Sequence, residues 1–229
     1  MIANFFNQTK PINFLLLSIL VFFIYLVALI NVDSAPLNFF FFAKNSLFIF
    51  LAILSVFVIN FIIRKNALTE DNSFAILFYI LMSSYFPNSY INDGLFISNF
   101  ILLFAFRRIY SLRSSIETKE KIFDSAFWIG IASLFYVWSL FYLLLVYAAI
   151  LIFRKTEWRN FVVPILGVLT PVFLSYTYLL AFDDLERFNN LWKLSFDLNF
   201  QAYNSYHYMI PLALIGILSI IAIVPTTKR

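Results

Sequence analysis

The chain has 229 residues, of which 62% are hydrophobic and only 12% are charged. A soluble domain of this size cannot bury so much apolar surface in one core, so the composition excludes an ordinary globular protein. An aromatic content of 21% excludes an intrinsically disordered chain. Since there is no cysteine, a disulfide framework, a thiolate metal site and a cysteine nucleophile are excluded as well. The sequence predicts an integral membrane protein.

The net charge of +4 would also suit a nucleic-acid-binding protein. The basic residues, however, lie in short clusters that border long apolar runs. Such clusters determine the topology of membrane proteins. The expected partner is therefore the lipid bilayer and not a nucleic acid.

Apolar runs recur along the whole chain, and a membrane-spanning helix needs about 20 apolar residues. They predict a single domain, 1–229, with eight membrane segments near residues 12–30, 45–63, 74–86, 95–106, 125–136, 138–153, 161–182 and 208–224. The external loop 183–206 mixes apolar and polar residues in a pattern typical of an amphipathic helix on the membrane surface.

The two central pairs of segments are short for full crossings. Residues 74–86 and 95–106 are separated by Pro87-Asn88-Ser89 and Asn92-Asp93-Gly94, which are turn sequences. The uncharged stretch 125–153 is expected to fold back near Tyr136 to Ser139. Turns at membrane depth persist only when they are buried in protein or line a wet cavity. Both hairpins are therefore predicted to be partly re-entrant and to face a cavity.

Polar residues inside the apolar runs are few. They are expected to bond between helices or to line the cavity, and they comprise Ser83, Ser84, Asn99, Ser133 and Ser139. Since none is ionisable, an ion channel or a proton pump is disfavoured.

The basic residues divide unevenly between the two sides of this arrangement. Three are expected outside, namely Lys44, Arg187 and Lys193. Thirteen are expected on the side of the N-terminus: Lys10, Arg64, Lys65, Arg107, Arg108, Arg113, Lys119, Lys121, Arg154, Lys155, Arg159, Lys228 and Arg229. By the positive-inside rule, the sequence predicts an all-α integral membrane protein with both termini in the cytoplasm.

Carboxylates collect on the predicted external face: Asp33, Asp93, Asp183, Asp184, Glu186 and Asp197. A carboxylate at this level can serve as a general base or a metal ligand for a lipid-linked substrate. Asp33 and Asp93 are the candidate catalytic residues, with Asp33 first because it directly follows a buried helix. Asp183 and Asp184 are candidates to hold a divalent cation. The alternative is that these carboxylates are solvated and cap helices.

Two further features have competing interpretations. His207, the only histidine, is a candidate acid–base group, but it has no visible partner and lies among interfacial aromatic residues that anchor helices. The second feature is a pair of basic clusters, Arg107-Arg108 and Arg154-Lys155. They could attract an anionic lipid or a phosphate, or they could simply anchor the helix ends, and anchoring is favoured.

Several strings resemble uncharacterised inner-membrane proteins of Bacteroidota. They are Asn7 to Pro11, Phe104 to Arg108, Phe123 to Tyr136, and Gly167 to Pro171. The order of elements is also similar to that of the multi-pass GT-C glycosyltransferases, which use polyprenyl-phosphate sugars and carry an acidic residue in the first external loop. Asp33 matches that residue by position, although the chain is shorter and lacks their acidic pair. The resemblance implies a protein of envelope construction with a polyprenyl-phosphate lipid as a partner.

Two other functions stay open. One is a non-catalytic membrane subunit of a secretion or envelope-assembly complex, whose partners are other membrane proteins. The third is a transporter. Convergence of Asp33 and Asp93 on an external cavity open to lipid would favour catalysis, whereas their dispersal over solvent would favour a scaffold.

Overall fold

The computed structural model describes residues 6–7, 10–30, 38–192, 209–210, 213–214 and 216–217. All regular elements in these ranges are helical: α1 (Pro11–Ile30), α2 (Phe39–Lys65), α3 (Phe74–Ser84), α4 (Asn88–Ile91), α5 (Asp93–Ser111), α6 (Thr118–Phe135), a 3-10 helix (Val137–Tyr142), α7 (Leu143–Ile152), α8 (Trp158–Ala181) and α9 (Leu185–Leu191). The predicted last segment, 208–224, lies mostly outside the described residues, as does loop 183–206 beyond Trp192.

Among the described helices, α1, α2, α5 and α8 are long and apolar enough to cross a membrane. At about 1.5 Å per residue, α2 alone reaches about 40 Å, which exceeds the hydrocarbon thickness of about 30 Å. The stretches Phe74–Ser84 and Val137–Ile152 are shorter apolar helices. The prediction of an all-helical membrane protein is confirmed.

The helix α5 is longer than the predicted segment 95–106, because both of its ends are stabilised. At its start, Asn92 accepts a hydrogen bond from the N–H of Leu95 at 3.1 Å, so Asn92 caps the helix. Asp93 and Gly94 therefore belong to its first turn. At its other end, Arg108 forms an ion pair of 2.7 Å with Asp124 of α6. The pair 74–106 is thus one short helix followed by one of full length.

The helix α6 begins at Thr118 and ends at Phe135, and Tyr136 is extended, with φ of −150°. After the 3-10 helix, α7 returns toward the start of α6, since Lys155 donates a hydrogen bond of 2.7 Å to Ser115. The run 125–153 therefore goes out and comes back, with its break at the predicted position.

The buried core forms two clusters that share α5. The first joins α1, α2 and α3 to one face of α5 and includes Leu17, Val21, Ala52, Val56, Ile76, Ile80, Phe96 and Leu103. The second joins the other face of α5 to α6 and α7 and includes Leu102, Ala105, Ile109, Ile122, Ile129, Val146 and Ile150. Because Leu102 and Leu103 are neighbours in the chain yet belong to different clusters, α5 is the wall between them.

The helices α6 and α8 pack closely through small residues. An ideal Cβ on Gly167 of α8 would lie 2.7 Å from the Cβ of Ala126 on α6. Small residues at such positions allow helix backbones to approach, which is the usual way that helices associate in membranes. The small residues of the string 123–136 are thus explained by packing.

The segments 65–67, 107–117 and 154–160, each a loop with the adjoining helix end, lie at one end of the bundle, which we call the basic end. Residues of the first two line one cleft, and the last contacts Ser115 through Lys155. Phe6 lies there too, because Ser73 donates its N–H to the carbonyl of Phe6 at 3.0 Å. The charge distribution predicts that this end faces the cytoplasm. The starts of α2 and α5 lie at the opposite end.

Candidate functional site

The predicted catalytic carboxylates have different positions relative to the described structure. Asp33 lies outside the described residues. Asp93 lies in the first turn of α5, and its Oδ1 is 2.7 Å from the Nζ of Lys44 on α2. Both side chains are about half exposed, at 48% for Lys44 and 51% for Asp93. A carboxylate in the first turn of a helix is also favoured by the helix dipole.

Asp183 and Asp184 form the turn that ends α8. Their N–H groups donate to the carbonyls of Leu180 and Leu179 at 3.2 and 3.0 Å, and Asp183 has a φ of 55°. The described part of the chain contains no group of three or more His, Asp or Glu side chains placed to hold a metal ion. The divalent cation stays a prediction. Glu186 lies in the first turn of α9, whereas Asp197 and His207 lie outside the described residues.

The start of α2 is held next to the Lys44–Asp93 pair by buried polar contacts. The hydroxyl of Tyr25 on α1 donates to the Oδ1 of Asn45 at 2.8 Å. The amide of Asn45 donates in turn to the carbonyl of Phe41 at 2.8 Å. Because the helix extends back to Phe39, earlier than the predicted start at residue 45, Lys44 occupies a rigid helical position.

A small polar cavity lies between α2, α3, α4 and α5. Its volume is about 40 Å³, and its polar lining consists of Ser55, Tyr79, Ser83, Ser89, Tyr90 and Asn99. A water molecule needs about 10–15 Å³ of such volume, so the cavity is large enough to hold water. Ser83 and Tyr90 share a hydrogen bond of 2.6 Å. The break between α3 and α5 therefore faces a polar cavity, as the sequence predicts for a turn at membrane depth.

The other predicted intramembrane polar residues bond within the bundle. Ser139 forms a hydrogen bond with Ser98 that joins the 3-10 helix to α5. Ser133 donates to the carbonyl of Gly130, and Ser84 to that of Leu81, each within its own helix. Of the five, Ser83 and Asn99 line the cavity, and Ser139 links two elements.

A larger cleft of about 540 Å³, which we call the basic cleft, opens at the basic end. Its lining contains five basic side chains and one acidic one: Lys65, Arg107, Arg108, Arg113, Lys121 and Glu117. Arg107 lies over the ring of Phe61, with 5.2 Å between the guanidinium carbon and the ring centroid. Lys121 is buried, with 8% of its surface exposed.

The burial of Lys121 is not among the sequence-based expectations, which treat this lysine as one of the charges that fix topology. A signal for it was present. At helical spacing, Lys121, Ser125, Ile129 and Ser133 form one stripe, and all four are buried. The stripe becomes visible only when α6 is taken to start at Thr118 and not at residue 125.

These features define a class of protein: a polytopic helical membrane protein with a polar cavity inside its bundle and a basic cleft at one end. The chain belongs to a family of unknown function, DUF6427, whose model matches residues 9–228. No curated protein and no solved structure matches the chain. The family match agrees with the resemblance to uncharacterised proteins.

Proposed function

We propose that this protein works in cell-envelope construction in the bacterial inner membrane and handles a lipid-linked substrate at the end of the bundle that carries Lys44 and Asp93. The observation that supports this proposal is the 2.7 Å ion pair between these two residues. Transfer from a polyprenyl-phosphate carrier needs a carboxylate that takes a proton from the acceptor, and a cation that stabilises the departing phosphate. The pair supplies the cation, Lys44, together with a carboxylate, Asp93, that holds it in place.

The surroundings of the pair suit such a role. Asp93 and Lys44 come from capped or hydrogen-bonded helical segments, and rigid elements hold reacting groups more accurately than loops do. Both side chains are half exposed, so a substrate can reach them. The start of α5 also carries the positive end of its helix dipole, which favours a phosphate.

Asp33 is the proposed partner of this pair. It follows closely on Ile30, the last residue of α1. That end of α1 is the one where Tyr25 bonds to Asn45, next to Lys44. In this proposal Asp33 is the general base, Lys44 stabilises the phosphate, and Asp93 orients Lys44.

Complementation of a deletion strain tests the proposal. Asp33→Asn, Asp93→Asn and Lys44→Gln each remove a charge with little change in shape. A general base contributes about 10²–10⁴-fold to a rate, so Asp33→Asn is expected to abolish rescue at a normal protein level. Asp93→Asn and Lys44→Gln are expected to reduce rescue.

The matched control is Asp71→Asn. Asp71 pairs with Arg64 at 3.5 Å at the basic end and has a side chain that is 81% exposed, so this variant is expected to rescue fully. Full rescue by all three test variants at normal protein levels would refute the proposal. It would favour the non-catalytic membrane subunit, and identification of co-purifying membrane proteins would then be the informative measurement.

A further inference from the structure

The basic cleft lies at the end of the bundle remote from the Lys44–Asp93 pair, and anchoring alone does not explain its geometry. Anchoring lysines extend their ammonium groups toward water and lipid headgroups while their stems stay apolar. Lys121 is instead buried against the loop that follows α5. A cost in free energy accompanies the burial of a charge unless polar partners compensate for it.

The partners of Lys121 compensate for part of that cost. Its ammonium donates hydrogen bonds to the carbonyl of Ser111 at 3.2 Å and to the hydroxyl of Ser114 at 2.6 Å. Both acceptors are uncharged, and an ammonium has three donors. The cleft that Lys121 lines contains one carboxylate, that of Glu117, so an anion there would supply further negative charge and a third acceptor.

The remaining walls of the cleft are held by other contacts. The pair between Arg108 and Asp124 measures 2.7 Å and fixes the end of α5 against α6. The guanidinium of Arg107 lies over the ring of Phe61 on α2. This contact is with an aromatic ring and not with a carboxylate. Arg113 is exposed at the rim. The cleft is therefore an open groove with an excess of positive charge, and its volume of about 540 Å³ leaves room for a phosphate group.

We infer that the basic cleft binds a phosphate group, with Lys121 as the buried contact and Arg113 and Lys65 at the rim. Lysine and arginine are the side chains that recognise phosphate, through charge-assisted hydrogen bonds. The phosphate belongs either to a soluble phosphorylated molecule or to the headgroup of a lipid with a terminal phosphate. This inference does not rest on the proposed function, since none of its residues belongs to the opposite end.

The test uses the full-length protein in nanodiscs, with the midpoint of thermal unfolding followed by tryptophan fluorescence. A ligand that binds only the folded state raises this midpoint. One arm adds inorganic phosphate to discs of phosphatidylcholine. The second arm replaces part of the phosphatidylcholine with phosphatidic acid. A rise in the first arm identifies a soluble phosphate as the ligand class, and a rise in the second arm alone identifies a lipid phosphate.

Three variants decide whether the rise comes from the cleft. Lys121→Gln and Arg113→Gln are each expected to raise the ligand concentration for half of the effect about tenfold or more, because each removes a charge-assisted hydrogen bond. Lys119→Gln removes the same charge from the same turn of α6 but lies outside the cleft, and it is expected to behave as wild type. If Lys121→Gln does not fold, the exposed Arg113→Gln gives the same readout.

Two results would overturn the inference. One is the absence of any rise for the wild-type protein in both arms. The other is a rise that persists unchanged in Lys121→Gln and Arg113→Gln, which would show a general effect of the ion or of the anionic membrane.

Discussion

Gly130 on α6 and Pro171 on α8 lie so close together that a Cβ on Gly130 would stand 2.5 Å from the Cγ of Pro171. On the other helix, a Cβ on Gly167 would stand 2.7 Å from both the Cβ of Ala126 and the carbonyl oxygen of Phe123. Neither a proline ring nor a helix backbone moves aside easily. The two helices are therefore held at a separation that only glycine permits at both positions.

We expect Gly130→Ala and Gly167→Ala each to lower the free energy of unfolding by about 1–3 kcal/mol, the usual cost of overpacking a well-packed interior. Thermal unfolding of the purified protein in one detergent measures the change. Gly216→Ala is the matched control, since a Cβ there meets no described atom within 4 Å. An unchanged midpoint for Gly130→Ala would contradict the close approach of Gly130 on α6 to Pro171 on α8.

Two ion pairs among the described residues of the basic end should differ in strength. The Arg108–Asp124 pair is 2.7 Å long with side chains 37% and 34% exposed, whereas the Arg64–Asp71 pair is 3.5 Å long and 54% and 81% exposed. Double-mutant cycles with alanine should give a coupling toward 1 kcal/mol for the first pair and near zero for the second. Added salt should weaken the first coupling only partly, because partial burial limits screening. Equal couplings would contradict this ranking.

Tyr90→Phe should destabilise the bundle at the polar cavity. The buried hydroxyl of Tyr90 bonds to Ser83 at 2.6 Å, and its loss is expected to cost about 0.5–1.5 kcal/mol. Tyr85→Phe, on an exposed ring one turn before α4, is the control and should be close to neutral. The midpoint of thermal unfolding is the measurement. Equal changes in the midpoint for the two variants would mean that the Ser83–Tyr90 hydrogen bond makes no net contribution to the free energy of unfolding.

The predicted orientation can be checked with single cysteines, because the chain has none of its own. In intact spheroplasts, a membrane-impermeant maleimide is expected to label Glu186→Cys on α9 and to leave Arg113→Cys at the basic end unlabelled. After lysis both should react. Labelling of Arg113→Cys in intact spheroplasts would invert the orientation that the positive-inside rule predicts.

The apolar runs predicted much of the fold, because a spanning helix needs only length and hydrophobicity. The helix α1 starts at Pro11, within one residue of the predicted start. Hydropathy predicts segment starts at residues 45 and 125, later than the starts of α2 and α6, because uncharged runs begin only after Lys44 and after Asp124. In the structure, Lys44 pairs with Asp93, and Asp124 pairs with Arg108. A partner far along the chain makes a charge compatible with a helix, and hydropathy cannot show such a partner.

Less of the candidate sites than of the fold could be predicted from the sequence. Asp93 could be named because it lies in a polar loop, but its partner Lys44 comes from a distant helix. The burial of Lys121 could have been inferred from its helical stripe with Ser125, Ile129 and Ser133, but its hydrogen-bond partners could not. Its ammonium donates to Ser111 at the end of α5 and to Ser114 in the loop that follows, and contacts between separate elements leave no local pattern.

The position of α5 has a mechanical consequence. Its 19 residues form a rod of about 28 Å, linked to α2 by Asp93 at one tip and to α6 by Arg108 near the other. Sharp kinks arise mainly at proline, glycine pairs or bulges, and the interior of α5 has no proline. Because α5 is packed on both sides, a displacement along its axis at Arg108 moves Asp93 by about the same amount, with little bending of the helix. The two ends of the bundle are thereby joined by one stiff helix.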